Sequence, residues 1–264
     1  MEDLRIRFDN GAEYEDHMGK WSRLAGDEFL RWLAPAGRLR WVDVGCGNGA
    51  FTELLVERCD PLEVQGVDPS EEQLAFARAR LAAAPVRVQS GDAMALPFAD
   101  AAFDAAVMAL VIFFVPEPAQ GVAEMARVVR PGGSVSAYAW DILGGGFPFA
   151  AMQDEMAALG APPARPPRVE AASIDALRAL WTGAGLEEVE TTTIEVQRTF
   201  ADFETFWRVA QTGPSTAPWI AAMSPGDVEL LRSRLRARMA ADTQVRITYG
   251  ARANAVKGRR PRRD

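Results

Sequence analysis

The sequence predicts an α/β fold: a doubly wound, mostly parallel seven-stranded Rossmann-like sheet with a helical lid inserted between its last two strands. The first observation is that strand-like and helix-like patterns alternate from residue 39 to residue 140. Such alternation implies parallel strands joined by right-handed crossovers. The second is that two strand-like segments near the C-terminus flank a stretch with helical spacing. We expect that stretch to lie over one edge of the sheet.

The elements follow from hydrophobic periodicity and from the glycines and prolines that interrupt it. Strands are expected at residues 39–44, 62–67, 86–89, 105–110, 133–140, 188–199 and 244–256. Helices are expected at residues 24–34, 49–57, 70–83, 118–129, 174–184, 203–209 and 227–240. The predicted organisation is a helical lead-in (1–37), a ligand-binding core (38–199), a helical lid (200–242), the final core strand (243–257) and a basic tail (258–264).

Composition narrows the class of protein. The 264 residues are 48% hydrophobic and 25% charged, as in an ordinary globular protein. The longest apolar run, residues 105–115, is shorter than the roughly 20 residues that cross a bilayer. The N-terminus lacks the pattern of a signal peptide, so we expect a cytoplasmic protein. The two cysteines suggest neither a disulfide framework nor a metal site.

The net charge of the chain indicates which class of partner it can bind. A formal net charge of −7 disfavours nucleic acid as a partner, because phosphates require a positive surface. The last eight residues carry five basic side chains, which we interpret as a solvated tail. Composition does not indicate an oligomeric state.

The strongest motif is Gly45-Cys46-Gly47-Asn48-Gly49, placed between a hydrophobic strand and a helix. Glycines let a ligand approach the backbone, and the helix start presents free N–H groups. The spacing of Gly45, Gly47 and Ala50 also satisfies the dinucleotide fingerprint, with Asp68 in the place of a ribose-binding acid. An NAD-dependent oxidoreductase is therefore one alternative.

Three acids, Asp43, Asp68 and Asp92, stand at the ends of three successive strands. Asp43 would repel a pyrophosphate but attract the sulfonium and ammonium of S-adenosylmethionine (SAM). Asp68 suits a ribose diol, and Asp92 suits an adenine amino group. Asp43 as a cap and Asp68 as a turn residue before Pro69 are the structural alternatives.

The chain resembles class I SAM-dependent methyltransferases over residues 38–140. Four blocks carry the resemblance: 42–51, 68–70, 91–94 and 124–133. Within that family it is similar to the small-molecule branch typified by ubiquinone- and menaquinone-biosynthesis enzymes. The resemblance implies in-line methyl transfer to a small, largely apolar molecule. It implies cofactor contacts from Asp43, Gly45, Cys46, Gly47, Asp68, Pro69, Gln73, Asp92, Ala93, Met94 and Met108. A SAM-binding protein without turnover remains an alternative, because fold does not determine function.

Residues 14–22 of the lead-in resemble a segment that folds over the cofactor in relatives. Tyr14 or Trp21 would then cover the sulfonium, and Lys20 would meet the cofactor carboxylate. His17, the only histidine, is the candidate general base, and a surface histidine is the alternative interpretation.

The acceptor side is predicted from aromatic residues. Phe113 and Phe114 stand where many relatives have a histidine pair, so a base from that position is absent. The candidate acceptor-binding residues are Phe113, Phe203, Trp207 and Trp219. Core packing is the alternative for the lid aromatics, since Phe203 and Trp207 share a helical face.

Overall fold

The computed structural model describes residues 15–161, 165–213, 216–239 and 246–262. Within them, seven strands form one sheet in the order β3-β2-β1-β4-β5-β7-β6. The strands are β1 (Arg40–Val44), β2 (Glu63–Asp68), β3 (Val86–Ser90), β4 (Phe103–Ala109), β5 (Val129–Trp140), β6 (Glu187–Phe200) and β7 (Ile247–Arg259). The first five strands pair in parallel, and β7 is antiparallel to both of its neighbours.

Helices cover the sheet and occupy the segment between β6 and β7. They are α1 (Lys20–Leu33), α2 (Ala50–Cys59), α3 (Glu71–Arg80), α4 (Pro118–Val128), α5 (Ala150–Ala158), α6 (Ile174–Gly183), α7 (Phe203–Ala210), α8 (Ala217–Ala222) and α9 (Pro225–Met239). Short helical turns are present at Glu15–Gly19, Ile112–Phe114 and Val169–Ala172. None of the helices in these ranges is long and apolar enough to cross a membrane. The predicted fold class, with lid helices between the last two strands, is confirmed.

Local sequence explains how the elements around the β1 end begin. The strand β1 is buried along its last four residues, and Gly49 then adopts a left-handed conformation (φ +81°) that starts α2. Helix α3 begins where the Ser70 hydroxyl accepts a hydrogen bond from the Gln73 N–H at 3.3 Å. This is an N-cap, which satisfies one of the otherwise unpaired N–H groups of the first turn.

Two strands differ by three or more residues from their predicted bounds. Strand β5 begins at Val129, four residues before the predicted start, and includes the turn-like Gly132 with φ +77°. Strand β7 continues to Arg259, because Gly258 and Arg259 pair with Val135 and Ser134 of β5. The first two residues of the predicted tail therefore belong to the sheet, and sheet pairing partners cannot be deduced from local composition.

Helix α1 attaches the lead-in to the sheet near the ends of the parallel strands. Its Trp21 and Phe29 are fully buried. The Phe29 ring lies 4.7 Å from that of Tyr138 on β5 and 6.2 Å from that of Phe51 on α2, measured between centroids. The apolar face of this helix therefore holds the lead-in beside the carboxyl edge of the sheet.

Candidate active site

A cleft of about 380 Å³ lies at the carboxyl ends of the parallel strands. It sits where the strand order reverses between β1 and β4, the place where open α/β sheets bind ligands. Its lining is Ser22, Gly45, Cys46, Gly47, Asn48, Ala50, Phe51, Val67, Asp68, Pro69, Ser70, Glu72, Gln73, Gly91, Asp92, Ala93, Ala109, Leu110, Val111, Phe114, Val115, Pro116 and Tyr138. Eight of the residues predicted to contact the cofactor are among them.

The three glycines of the loop have different roles. A Cβ on Gly45 would lie 2.5 Å from Val111 Cγ2, so that space is taken by a protein side chain. A Cβ on Gly49 would lie 2.9 Å from Leu81 Cδ1, so this glycine lets the start of α2 pack closely against the end of α3. A Cβ on Gly47 would meet only Gln73 Oε1 at 3.9 Å. Gly47 is therefore the glycine that leaves room for a ligand.

This difference predicts separate outcomes for two alanine variants. Gly49→Ala should lower the free energy of unfolding by about 2–4 kcal/mol, because it combines a left-handed backbone with a steric clash. Gly47→Ala (φ +51°) should cost only about 1–2 kcal/mol, since its Cβ enters open space, but should weaken ligand binding in the cleft. Urea unfolding with calorimetric titration measures both effects. Equal destabilisation by the two variants would contradict the assignment.

Asp68 connects the glycine loop to the end of β2. Its Oδ2 accepts the Gly47 N–H and its Oδ1 accepts the Ser70 N–H, each at 2.9 Å. A carboxylate oxygen accepts more than one hydrogen bond, so both oxygens retain capacity for ligand hydroxyls. Burial raises the pKa of this carboxyl, and the two backbone hydrogen bonds oppose the rise. The side chain both shapes the loop and lines the cleft.

Asp43 is fully buried and does not line the cleft. Its Oδ2 accepts the Thr52 hydroxyl at 2.6 Å, whereas its Oδ1 has no hydrogen-bond partner among the described residues. Burial raises the pKa of this carboxyl to about 7, against the hydrogen bond from Thr52, and nearby Asp68 raises it further. The structure therefore does not bring this carboxyl to the cleft surface, where the predicted contact with the cofactor would be made. The carboxyl lies two residues before Gly45 and interacts electrostatically with Asp68 of the cleft lining.

The end of β3 contributes Asp92 and Ala93, as predicted, but not Met94. The Asp92 Oδ1 accepts the Met94 N–H at 2.8 Å, which closes a tight turn. Met108 is also absent from the cleft lining and is fully buried. Its Cε lies 3.9 Å from the position of a Cβ on Gly121 of α4. Successive strand residues face opposite sides, so Ala109 lines the cleft in place of Met108.

The charges of the lining are all of one sign. Asp68, Glu72 and Asp92 line the cleft, and no lysine, arginine or histidine of the described residues does. The buried Asp43 adds to the same potential. A cationic ligand is therefore favoured over one that carries a pyrophosphate.

One segment of the cleft lining, which follows β4, is apolar. It consists of Leu110, Val111, Phe114, Val115 and Pro116. Leu110 has φ +62°, a strained conformation for a bulky residue, and its N–H donates to the Tyr138 carbonyl at 2.8 Å. Such outliers concentrate at functional sites, and this one directs the chain after β4 across the cleft.

The predicted aromatic residues mostly lie elsewhere. Phe113 is buried outside the cleft lining, and its neighbour Phe114 lines it, because successive residues of a helical turn face different directions. Phe203 and Trp207 stack in parallel and pack into the core, with Arg236 over the Phe203 ring. Trp219 is half-buried against the core and also lies outside the lining. The packing interpretation of the lid aromatics is the one the geometry favours.

The lead-in residues give three outcomes. His17 is 1% exposed, donates from Nδ1 to the Val209 carbonyl at 2.8 Å and stacks on Phe149 at 4.2 Å. It is therefore an interior residue, which excludes the surface interpretation, and it does not line the cleft as a base would. Lys20 is exposed and outside the lining. Tyr14 lies outside the described residues.

Sequence reasoning missed several residues of the lining. Ser22 and Tyr138 approach from α1 and β5, respectively, and Glu72 comes from the first turn of α3. Ser22 closes the lead-in segment that the resemblance singled out, so a weak signal for it existed. Tyr138 had no signal, because its position depends on the pairing of β5 with β4.

Part of the chain matches a known protein family. Residues 42–137 match the family model described as "Methyltransferase domain". The segment carries a methyltransferase domain. The match covers the first five strands except the beginning of β1 and the end of β5, and it confirms the resemblance seen in the sequence.

Relatives of this methyltransferase domain include two curated proteins. The chain is 40% identical over 125 residues to "2-methyl-6-phytyl-1,4-hydroquinone methyltransferase 2, chloroplastic" of Oryza sativa subsp. japonica, covering 45% of the chain and 35% of the relative. It is 40% identical over 99 residues to "Demethylmenaquinone methyltransferase" of Desulfitobacterium hafniense, covering 36% of the chain and 39% of the relative. The chain therefore aligns with less than half the length of either protein.

A solved structure extends the similarity of fold to most of the chain. A putative methyltransferase from Bacillus halodurans superposes with a TM-score of 0.58 at 18% identity. The alignment covers 89% of this chain and 98% of that protein. At this identity the likeness establishes the fold and not the activity.

Proposed function

We propose that the protein is an enzyme that transfers a methyl group from SAM to a small, largely apolar molecule. The charge of the cleft is the observation that carries this proposal: acidic side chains line it, and the described residues bring no cation to it. SAM has a cationic sulfonium and a cationic ammonium, whereas NAD has an anionic pyrophosphate. Coulomb energy therefore favours SAM in this cleft.

The cleft matches the parts of SAM one by one. Gly47 leaves space at the backbone of the loop, and Asp68 offers both carboxylate oxygens to the ribose hydroxyls. Asp92 and Ala93 offer acceptors at the adenine end. Asp43 favours positive charge near the loop without contact, because it is buried two residues before Gly45 and one of its oxygens has no hydrogen-bond partner. These features support a placement of the methionine part at the glycine loop and of the adenosine at the end of β3.

SAM supplies the methyl group when it is bound. The chain contributes alignment: Leu110, Val111 and Phe114 form an apolar surface that excludes water and positions the acceptor beside the cofactor. Alignment of two reactants is worth about 7–11 kcal/mol in favourable cases. Because the described lining has no histidine or lysine, an acceptor that is already nucleophilic suits this cleft best.

The relatives support an apolar acceptor. Their names specify a phytyl hydroquinone and a demethylmenaquinone, molecules with a reactive ring and an apolar chain. The apolar side of the cleft matches that chemistry. A cytoplasmic location is also part of the proposal, since the free thiols Cys46 and Cys59 suit a reducing compartment.

Calorimetric titration of the purified chain with SAM, S-adenosylhomocysteine and NAD tests the cofactor. We expect binding of the first two and none of NAD; saturable binding of NAD alone would overturn the proposal. Transfer of labelled methyl from SAM to hydroquinones of increasing chain length tests the acceptor, with heat-treated protein as the control. Tight SAM binding without transfer to these molecules or to a cell extract would favour a non-catalytic SAM-binding protein.

A further inference from the structure

The apolar segment that follows β4 ends in a turn with two prolines. We call residues 110–116 of this segment the acceptor wall. Pro116 and Pro118 have no N–H group, so these two positions donate no hydrogen bond. Each proline also keeps the residue before it out of a helical conformation, as at Val115 with φ −71° and ψ 121°. The end of the wall therefore depends on donors from another part of the chain.

Arg168 supplies these donors. Its Nε donates to the Pro116 carbonyl at 2.7 Å, and its backbone N–H donates to the Phe113 carbonyl at 3.0 Å. Its Nη2 donates to Glu117 Oε1 at 3.2 Å. These three bonds span the end of the acceptor wall and the residue after it. Arg168 does not line the cleft, so it acts on the cleft only through the wall.

The three bonds differ in what they contribute. The ion pair between Arg168 and Glu117 is largely exposed, with 42% and 67% of the two side chains accessible, and such pairs contribute little. The bond to the Pro116 carbonyl has a charged donor, which makes it stronger than a bond between neutral groups. We therefore expect the position of the wall to depend on the bond to Pro116 rather than on the ion pair.

A short helical turn, Val169–Ala172, keeps Arg168 in place. The turn starts directly after Arg168, whose carbonyl accepts the Ala171 N–H at 2.9 Å. At the other end of the turn, the Ala172 carbonyl accepts a hydrogen bond from Asn254 Nδ2 of β7 at 3.0 Å. Ala171, Ala172 and Asn254 are all buried. The arginine is therefore attached to a segment that is itself fixed to the sheet.

The start of the acceptor wall contacts the glycine loop. Val111 fills the space beside Gly45, where a Cβ would lie 2.5 Å from Val111 Cγ2. The wall is thus held at its start by the loop and at its end by Arg168, and Phe114 lines the cleft between these two points. Loss of the second attachment should release the end of the wall while the glycine loop keeps its shape.

We propose that Arg168 is a positioning residue for the methyl acceptor: it fixes the wall against which the apolar chain of the acceptor packs, and so determines which acceptors react. The inference rests on the proposed function. A misplacement of about 1 Å can cost up to roughly 100-fold in rate, so a loosened wall is sufficient to reduce transfer. Asp68 and Gly47 lie outside the bonds of Arg168, so SAM binding should not depend on it.

Methyl transfer from SAM to hydroquinones with a short or a long apolar chain tests this role. For Arg168→Ala we expect kcat/KM to fall roughly tenfold with the long-chain acceptor, mainly through a higher KM, and about threefold or less with the short-chain acceptor. The affinity for SAM, measured by calorimetric titration, should change by about twofold at most. A residue that only stabilised the fold would affect both acceptors and SAM to the same degree.

Two further variants separate the hydrogen bond from the ion pair. Arg168→Lys keeps a charged donor near the Pro116 carbonyl and should recover part of the lost activity. Glu117→Gln is the matched control, because it removes the ion pair and leaves the bond to Pro116, so it should behave as the wild type does. Equal losses with both acceptors in Arg168→Ala, or the same loss of selectivity in Glu117→Gln, would overturn the role of Arg168.

Hydrogen exchange of the ligand-free protein gives a readout that needs no turnover. The N–H groups of Phe114 and Val115 donate to the carbonyls of Val111 and Ile112 inside the wall. In Arg168→Ala they should exchange roughly tenfold faster, because local opening becomes easier, whereas amides of β5 should not change. Unchanged exchange in the wall would overturn the inference. Failure of the wild type to bind SAM or to methylate any acceptor would instead overturn the proposed function, so the two failures are distinguishable.

Discussion

Asp68→Ala is expected to weaken SAM binding by roughly 100-fold, about 2.7 kcal/mol, and by no less than tenfold. The change removes both acceptors for the ribose hydroxyls. It also releases the N–H groups of Gly47 and Ser70, which the carboxylate now holds at 2.9 Å. Loss of a direct contact and loss of loop order therefore add in a single variant. Calorimetric titration with SAM and S-adenosylhomocysteine measures the effect.

Glu72→Gln is the matched control for Asp68→Ala. Glu72 lines the same cleft and is exposed, so its replacement removes one negative charge in a solvent-screened position. We expect a change of a few-fold at most, reduced further by salt. If Glu72→Gln weakens SAM as much as Asp68→Ala does, the ribose contact assigned to Asp68 is wrong and only net charge matters.

Asp43→Asn is expected to stabilise the ligand-free protein above neutral pH while reducing its affinity for SAM. The folded pKa of this carboxyl is about 7, against 3.8 for an unperturbed aspartate, because burial disfavours the charged form. Between about pH 4 and pH 7, the native state therefore holds a proton that the unfolded state has lost. Stability from this group falls as pH rises through that window, by up to about 4 kcal/mol.

The variant should lack this pH dependence. Asparagine carries no charge. The free energy of unfolding of Asp43→Asn, measured in urea, should therefore exceed that of the wild type by an amount that grows from pH 5 to pH 8. Ser136→Ala is the control, because it changes another fully buried polar side chain, one that does not ionise. Its effect on the free energy of unfolding should not vary with pH. Parallel stability curves for Asp43→Asn and the wild type would contradict the raised pKa.

The same residue links stability to binding. A charge buried without a full set of partners is unfavourable in the empty protein, and a cationic ligand beside the loop compensates for it. SAM should therefore bind the wild type more tightly, and stabilise it more at a fixed concentration, at pH 8 than at pH 5. Asp43→Asn should show no such difference. The ionised carboxyl therefore lowers the stability of the apo protein and favours the bound state.

Local chemistry in the sequence was sufficient for the architecture. Apolar runs of strand length, the helical periodicities between them and the glycines after β1 predicted the seven strands and the lid. Acids at three strand ends predicted the edge of the sheet that forms the cleft, because parallel strands all end on one side. The loop and the acids Asp68 and Asp92 line that cleft as predicted.

Tertiary structure alone decided which side chains reach the cleft. The depth of Asp43, the contact of Val111 with Gly45 and the bond from His17 to Val209, 192 residues away, depend on how distant segments pack. A periodic pattern reports the face that a residue occupies on its own element and not the element opposite. For that reason the sequence by itself determined the fold, the cleft edge and its acidic character, whereas the burial of Asp43 and the position of Tyr138 on the cleft were decided by the packing of distant strands and helices.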